Sequence, residues 1–306
     1  MAVQLLPPVT RVGDDWAREK PAGHHLPYLA QIDDHTVLLR DGRLMQVLAL
    51  DGLLFETADT AEINYRKTLR DAMLQAIGSS RFALYHHIIR RPVEPQLEAS
   101  FPDPFSAALD SAWQRRLSTK RLFTNDLFLC LIRRPLQGRG GAAERVGRLF
   151  GRAASANEEV ALASERRALD AARNALLAAL SSYGARLLGG YNRKGGRCSE
   201  VLEYLSSLYN GELRPVLLPE SDLGHHLPYR RVSFGAQTVE LGTSGELPRS
   251  FLGIVAVKEY PAQTVPGMLD ELMRLPLELT VTQSFGFVER QAALSKMNLA
   301  LRRMRS

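Results

Sequence analysis

Short blocks of apolar residues, separated by turn formers, dominate the chain from residue 36 onward. Thr36 to Arg40 and Leu44 to Leu50 are strand-like runs divided by Asp41-Gly42, the signature of a tight β-hairpin. Leu69, Met73, Leu74 and Ile77 then recur at helical spacing. Asp59 is placed to cap that helix, which should reach Ile77 and stop at Gly78. Phe82 to Ile89 is rich in strand formers and is closed by Pro92 and Pro95. Pro104 suits the first turn of a second helix running to about Lys120, and Asn125 to Ile132 is the next strand. Residues 1–34, broken by Pro7, Pro8, Pro21 and Pro27, read as an irregular leader.

The pattern changes after Arg134. Residues 134–157 are rich in glycine and arginine and hold few large apolar side chains, so a mobile basic linker is expected there. Glu158 to Ser182 has the Ala/Leu/Glu/Arg content of a long helix. Leu187-Leu188 starts a strand before Gly189-Gly190, and Ser199 caps a helix that ends at Asn210-Gly211. Val216 to Leu218, Val232 to Phe234 and Val239 to Leu241 read as short strands, and Phe251 to Val257 as a buried central strand. A short helix over 267–274, a strand over 277–282 and a helix over 284–304 complete the pattern. Helices and strands alternate without strict βαβ order, which predicts an α+β fold with mixed sheets packed by helices. The expected organisation is an N-terminal subdomain (1–133), the linker (134–157) and a second subdomain (158–306).

Composition narrows the function classes. With 306 residues, 45% hydrophobic and 24% charged, the chain has globular character, and two cysteines are too few for a disulfide scaffold. No apolar run approaches the roughly 20 residues of a spanning helix, and the N-terminus lacks a basic segment leading an apolar one, so a cytoplasmic protein is expected. The net charge is +6, and lysine occurs at only six positions, so arginine supplies most of the basicity. Arg145, Arg148 and Arg152 lie at helical spacing beside Val146, Leu149 and Phe150, either as a solvated turn or as a contact for anionic lipid or an acidic partner.

Candidate chemistry is sparse. No Gly-x-x-x-x-Gly-Lys-Ser/Thr occurs, so the chain carries no P-loop to hold phosphate and magnesium. Gly138-x-Gly140-x-x-Ala143 follows no strand directly and reads as a loop rather than a dinucleotide fingerprint. Histidines come as adjacent pairs at 24–25, 86–87 and 225–226, which on a strand point to opposite faces, so a pair rarely chelates one ion. The hexapeptide Gly-His-His-Leu-Pro-Tyr occurs twice, at 23–28 and 224–229, and reads as a duplicated turn leading into a strand, or as coincidence, rather than as two metal half-sites. Cys130 reads as a buried small hydrophobe, whereas Cys198 sits at a helix start without an identifiable base. No nucleophile, base and orienting group assemble from this pattern, so no catalytic residue, metal site or cofactor is assigned to it.

The C-terminal run FLGIVAVKEYPAQTVPGMLDELMRLPLELTVTQSFGFVERQAALSKM (251–297) closely resembles the CagE/TrbE/VirB family of type IV secretion and conjugal-transfer ATPases, in its VirB-four branch. The matching positions are Lys258, Glu259, Tyr260, Pro261, Thr264, Pro266, Gly267, Met268, Leu269 and Asp270, then Leu275-Pro276, Glu278, Gln283, Ser284 and Phe285. Upstream, Asp41-Gly42 with Asp51-Gly52, Tyr85-x-x-Ile88-Ile89-Arg90-Arg91 and Asn125-Asp126-Leu127-Phe128 fall in the family's order. So do Ser199-Glu200, Glu203-Tyr204-Leu205 and Asn210-Gly211. The resemblance implies the N-terminal and central region of such an ATPase, without the RecA-like motor, so ATP and magnesium are implied only for the full-length family. It also implies a docking role with other secretion subunits and a cytoplasmic location peripheral to the inner membrane. The signature at 258–285 is open to two readings, a fold-defining corner or a dedicated partner contact. The alternative function is a stand-alone basic nucleic-acid-binding protein, although no recognisable nucleic-acid motif accompanies the arginines.

The last helix generates the first prediction. Val288, Ala292, Leu294, Met297, Leu299, Leu301 and Met304 give it more apolar surface than one stripe needs. Its final turns should therefore be under-buried, with Leu301 and Met304 exposed, and the protein should self-associate through this end. Light scattering should report an oligomer for the full chain and a monomer after removal of residues 298–306. A monomeric full chain with both side chains buried would contradict this.

Overall fold

The structure is a computed structural model that describes residues 21–52, 59–94, 100–134, 156–236, 238–242, 250–257, 263 and 270–305. The fold is α+β. Its main sheet runs in the order β1-β2-β3-β5-β4-β12, with β6 also paired to β3. The strands are β1 (Tyr28–Gln31), β2 (Val37–Leu39), β3 (Leu44–Leu50), β4 (Phe82–Val93), β5 (Leu122–Arg133), β6 (Arg186–Leu187) and β12 (Leu279–Gly286). Its ladders are all antiparallel. Strands from either side of residues 134–157 therefore share one sheet. Two smaller antiparallel sheets accompany it: β7 (Gly190–Arg193) with β8 (Gly196–Ser199), and β9 (Val232–Phe234), β10 (Val239–Leu241) and β11 (Ser250–Leu252) in the order β11-β10-β9.

The hairpin forms where Asp-Gly predicts it: Val37 pairs with Met45, and Gly42 takes φ +79°, which glycine adopts without a Cβ clash. α1 (Thr60–Ala76) is capped by Asp59, whose carboxylate accepts from the Glu62 N–H. α2 (Pro104–Ser118) has Pro104 in its first turn, with Asp103 accepting from the Ser106 N–H. α3 (Ala156–Ala179) is the long helix, and α4 (Glu200–Asn210) begins at the Ser199 cap and ends at Gly211, φ +73°. A single turn, α5 (Leu223–His226), a short α6 (Asp270–Arg274) and the terminal α7 (Arg290–Arg305) complete the helices among the described residues. None of the described helices is long and apolar enough to cross a membrane.

Alternation along the central strands sends side chains to two cores. Met45, Val47, Ala83, Phe128, Cys130 and Ile132 face Val201, Leu202, Tyr204 and Leu205 of α4. Leu44, Leu48, Phe82, Leu84, Leu129 and Leu131 face Leu169, Ala172 and Leu176 of α3 together with Met73 of α1. Gln46 is a polar residue on this second face, and its amide donates to Thr36 Oγ1 and Asp170 Oδ1, each at 2.9 Å. Arg133, at the rim, lies over the Phe82 ring and pairs with Glu165, which also binds Arg81.

Several expectations are corrected. The supposed leader contains β1, because Leu26 and Leu29 are buried and Tyr28–Gln31 pairs with β2. β4 continues through Pro92 to Val93, opposite Phe123 and Leu122. Its pairing to β12 has ended at Arg90, so the missing N–H of Pro92 falls on a side that no described strand pairs with there. Phe251–Val257 is not a central strand. Only Ser250–Leu252 pairs, at the edge of the small sheet, and Val255 is 96% exposed. Apolar character indicates a need for cover, and no described element supplies it there. Ser284 and Phe285 belong to β12, opposite Tyr85 and Leu84, so the terminal helix starts later than its sequence pattern suggests. Leu217 makes only an isolated bridge to Cys198, in place of the strand expected at 216–218.

The two copies of the hexapeptide pack against each other. Each forms one helical turn, and the His24 and His225 rings meet edge to face at 5.7 Å. Arg40 clamps the pair: its guanidinium donates to Leu26 O at 2.9 Å and holds the Asp222 carboxylate bidentately at 2.8 Å. A Cβ on Gly23 would stand 2.1 Å from Gly224 O, and one on Gly224 2.7 Å from Gly23 O. Gly23→Ala and Gly224→Ala are each expected to destabilise the protein by about 1–3 kcal/mol, as forced overpacking does. Urea unfolding checks this, and an unchanged midpoint for both variants would show that the turns do not hold this contact.

Candidate interaction surface

The described part of the signature lies on the last strand of the sheet. Among the described residues β12 pairs with β4 on one side only, over Leu279↔Arg90 to Gly286↔Ala83. Gln283 turns to its cross-strand neighbour His86, Oε1 to Nδ1 at 3.3 Å, while Ser284 and Phe285 are exposed. Three contacts tie this segment to β4 and its surroundings. Arg90 Nε donates to Leu275 O at 3.3 Å, Arg121 pairs with Glu278 at 3.2 Å, and Ser80 Oγ donates to Glu289 at 3.0 Å. Phe287 packs on the α3 side of the core. Beyond it, α7 presents Leu294, Met297, Leu299 and Leu301 to solvent, with Leu301 50% exposed. The expected exposure of Leu301 is thus found, whereas the side chain of Met304 lies outside the described residues.

Asp270 opens α6, in the first helical turn as its position predicts. Lys258, Glu259, Tyr260, Pro261, Thr264, Pro266 and Gly267 lie outside the described residues, as do Arg145, Arg148 and Arg152 of the basic linker. The motif residues Tyr204 and Asn210 on α4 are structural. Asn210 is fully buried and donates to Ser206 and Leu227 while accepting from the Tyr229 and Arg230 N–H groups. Tyr204 is 1% exposed, between Phe128 and His87. Cys198 is buried in β8, a packing position rather than a reactive one. Among the described residues no group of three or more His, Cys, Asp or Glu side chains is arranged to hold a metal ion.

Residues 35–140 match the N-terminal domain of type IV secretion system ATPase VirB4/TrbE, and residues 186–306 match the CagE, TrbE, VirB family, component of type IV transporter system. The type IV secretion system protein virB4 of Bartonella henselae is 33% identical over 278 residues, 90% of this chain and 35% of its own. Protein virB4 of Agrobacterium fabrum is 32% identical over 297 residues, 96% of this chain and 37% of its own. That of Brucella suis is 31% identical over 283 residues. The chain belongs to the VirB4/TrbE family of type IV secretion proteins. It spans about a third of the length of these relatives.

Within this family member, sequence reasoning missed one buried polar cluster. Tyr204 Oη lies 2.5 Å from His87 Nδ1 and 3.0 Å from Cys130 Sγ. One assignment satisfies all three groups: the cysteine S–H donates to the tyrosine, and the tyrosine O–H donates to a neutral imidazole. Alternation already separates His86 from His87 in the sequence, but nothing in the pattern shows that Tyr204 arrives from a helix far along the chain. Burial, then the neighbouring His86, lowers the His87 pKa from 6.5 to about 4. Burial pushes the Cys130 thiol up to about 12. For Glu165, burial acts upward, but Arg81 and Arg133 outweigh it and hold the carboxyl below its ordinary value.

A pH dependence follows. Between about pH 6.5 and 4 the unfolded chain takes up the proton that folded His87 refuses, so stability falls as pH drops through that window. The depressed Glu165 carboxylate acts in the same direction, its contribution being lost as pH falls below the ordinary carboxylate range. Urea unfolding at pH 7 and pH 5 should show a smaller loss of stability for His87→Phe than for the parent chain. An equal loss in both would exclude His87 as the source.

Proposed function

We propose that this chain is a non-catalytic docking and assembly module of a type IV secretion ATPase, working with other secretion subunits on the cytoplasmic side of the inner membrane. The observation that carries this reading is the outer strand β12. It holds the family signature residues Gln283, Ser284 and Phe285, has one edge that no described strand pairs with, and leads into a helix with exposed apolar side chains. An unpaired edge beside exposed apolar surface is a template for another chain. Self-association through α7 belongs to the same reading. The sequence holds no P-loop, so nucleotide hydrolysis is assigned to the rest of a full-length family member and no cofactor to this chain. The nucleic-acid alternative draws less support, because many arginines are engaged in ion pairs, including Arg40, Arg81, Arg91, Arg133, Arg173 and Arg230.

The test is co-purification with individually expressed inner-membrane secretion subunits. At least one should be retained by the parent chain and lost, by roughly tenfold or more, with Phe285→Asp or Leu294→Asp, as for exposed contact residues. The purified chain should show no nucleotide turnover above background. Turnover abolished by a substitution within this chain would overturn the non-catalytic assignment. DNA binding whose log affinity falls steeply with log salt would favour the nucleic-acid alternative.

A further inference from the structure

α2 is built with its apolar side outward. No residue of this 15-residue helix is buried. Its partly covered positions are Ser106, Asp110, Gln114 and Leu117, and the Gln114 amide donates to Asp110 at 2.7 Å on that side. At 3.6 residues per turn, Phe105, Leu109, Trp113 and Arg116 fall together on an adjoining flank of the helix, about 100° round from that side. Phe105 is 77%, Leu109 61% and Trp113 53% exposed, and Phe101 extends the stripe before the helix. A surface helix normally points such a stripe at its own core.

The charges on α2 are sorted in the same way. Arg116 and Lys120 share the apolar side, and Arg115 flanks it. Among the described residues no ion pair engages any of the three. The acids lie elsewhere: Asp103 caps the helix through the Ser106 N–H, and Asp110 faces inward. The helix sits beyond the end of the longest ladder, where Val93 meets Leu122. Arg90 and Arg121 lie over the Phe123 ring near that end, at 4.5 and 5.3 Å.

We infer that the outward face of α2 is a contact surface for an anionic phospholipid bilayer. A single proud helix offers a convex stripe of phenylalanine, leucine and tryptophan, which fits the boundary between headgroups and acyl chains. An indole is well suited to that boundary, being apolar with one polar edge. Arginine and lysine beside the stripe can extend their stems along it and place their charges among the lipid phosphates. A neutral protein groove would leave these cations without partners, whereas an anionic lipid surface satisfies both components. This inference stands on the exposure and charge of α2 and not on the docking role of β12, so either can fail alone.

Trp113 supplies the reporter, since the only other tryptophan is Trp16. In a Trp16→Phe background, adding vesicles of phosphatidylcholine with phosphatidylglycerol should shift Trp113 emission to shorter wavelength and sediment the protein. Pure phosphatidylcholine vesicles should do neither. Phe105→Ser with Leu109→Ser should abolish the shift, and Arg116→Glu with Lys120→Glu should weaken binding by roughly tenfold or more. All four positions are exposed, and far-UV circular dichroism checks that each variant stays folded. Vesicle binding that leaves Trp113 emission unmoved and ignores these substitutions would place the lipid contact elsewhere and overturn the inference. So would a vesicle-independent shift that grows with protein concentration, which would make the face a contact between copies of the chain.

Discussion

The three central strands, β3, β5 and β4, are covered on both faces, and the rest of the molecule is arranged around that two-sided burial. Each residue along these strands must suit one core or the other, because successive side chains alternate between faces. Leu44, Leu48, Leu84 and Leu131 reach the α3 side essentially water-free, and each such leucine contributes about 1.5–3 kcal/mol relative to exposure. Val47 and Cys130 do the same on the α4 side. Covering both faces requires helices from distant parts of the chain: α1 and α3 on one, α4 on the other. A polar group can enter this interior only with partners, which is why Gln46 meets Thr36 and Asp170, and His87 meets Tyr204.

The same constraint decides what remains outside. A sheet filled on both faces can interact further only at its edges or beyond its ends. At one edge β12 carries signature residues, and among the described residues its outer side is unpaired. Beyond the end of the β4–β5 ladder, α2 has no core to face, and its apolar stripe is left exposed along one flank. The apolar segment 254–257 and the outward side of α7 add to this distribution of uncovered surface. Two kinds of exposed surface thus arise from one closed core: an unpaired strand edge suited to protein, and a basic, aromatic helix suited to lipid.

The family motifs divide along this line. Tyr204, Leu205 and Asn210 are buried and hold α4 and its following turn in place. Ser284 and Phe285 are exposed and do little for the core. The duplicated Gly-His-His-Leu-Pro-Tyr segments belong with the first group. Their glycines permit a backbone contact that any side chain would block, and their histidines remain on the surface.

Local signals in the sequence determined most elements. Asp41-Gly42, the caps Asp59 and Ser199, Pro104 in the first turn of α2, and the stop at Gly211 each act through backbone geometry within a few residues, so they could be read without a fold. Helix-forming composition likewise indicated α3, runs of strand formers indicated the central strands, and the motifs near 258–285 identified the family. What the sequence could not specify was partnership. Apolar runs at 251–257 and 284–304 demand cover without naming its source, and Pro92 could continue a strand only because β12 stops pairing at Arg90. The Tyr204–His87–Cys130 cluster joins three segments whose spacing in the chain carries no common period. The outward face of α2 was visible as Phe101, Phe105, Leu109 and Trp113 at four-residue spacing, yet that pattern is identical for a stripe facing inward. Only tertiary packing chose its direction, because both faces of the sheet were already filled by other helices.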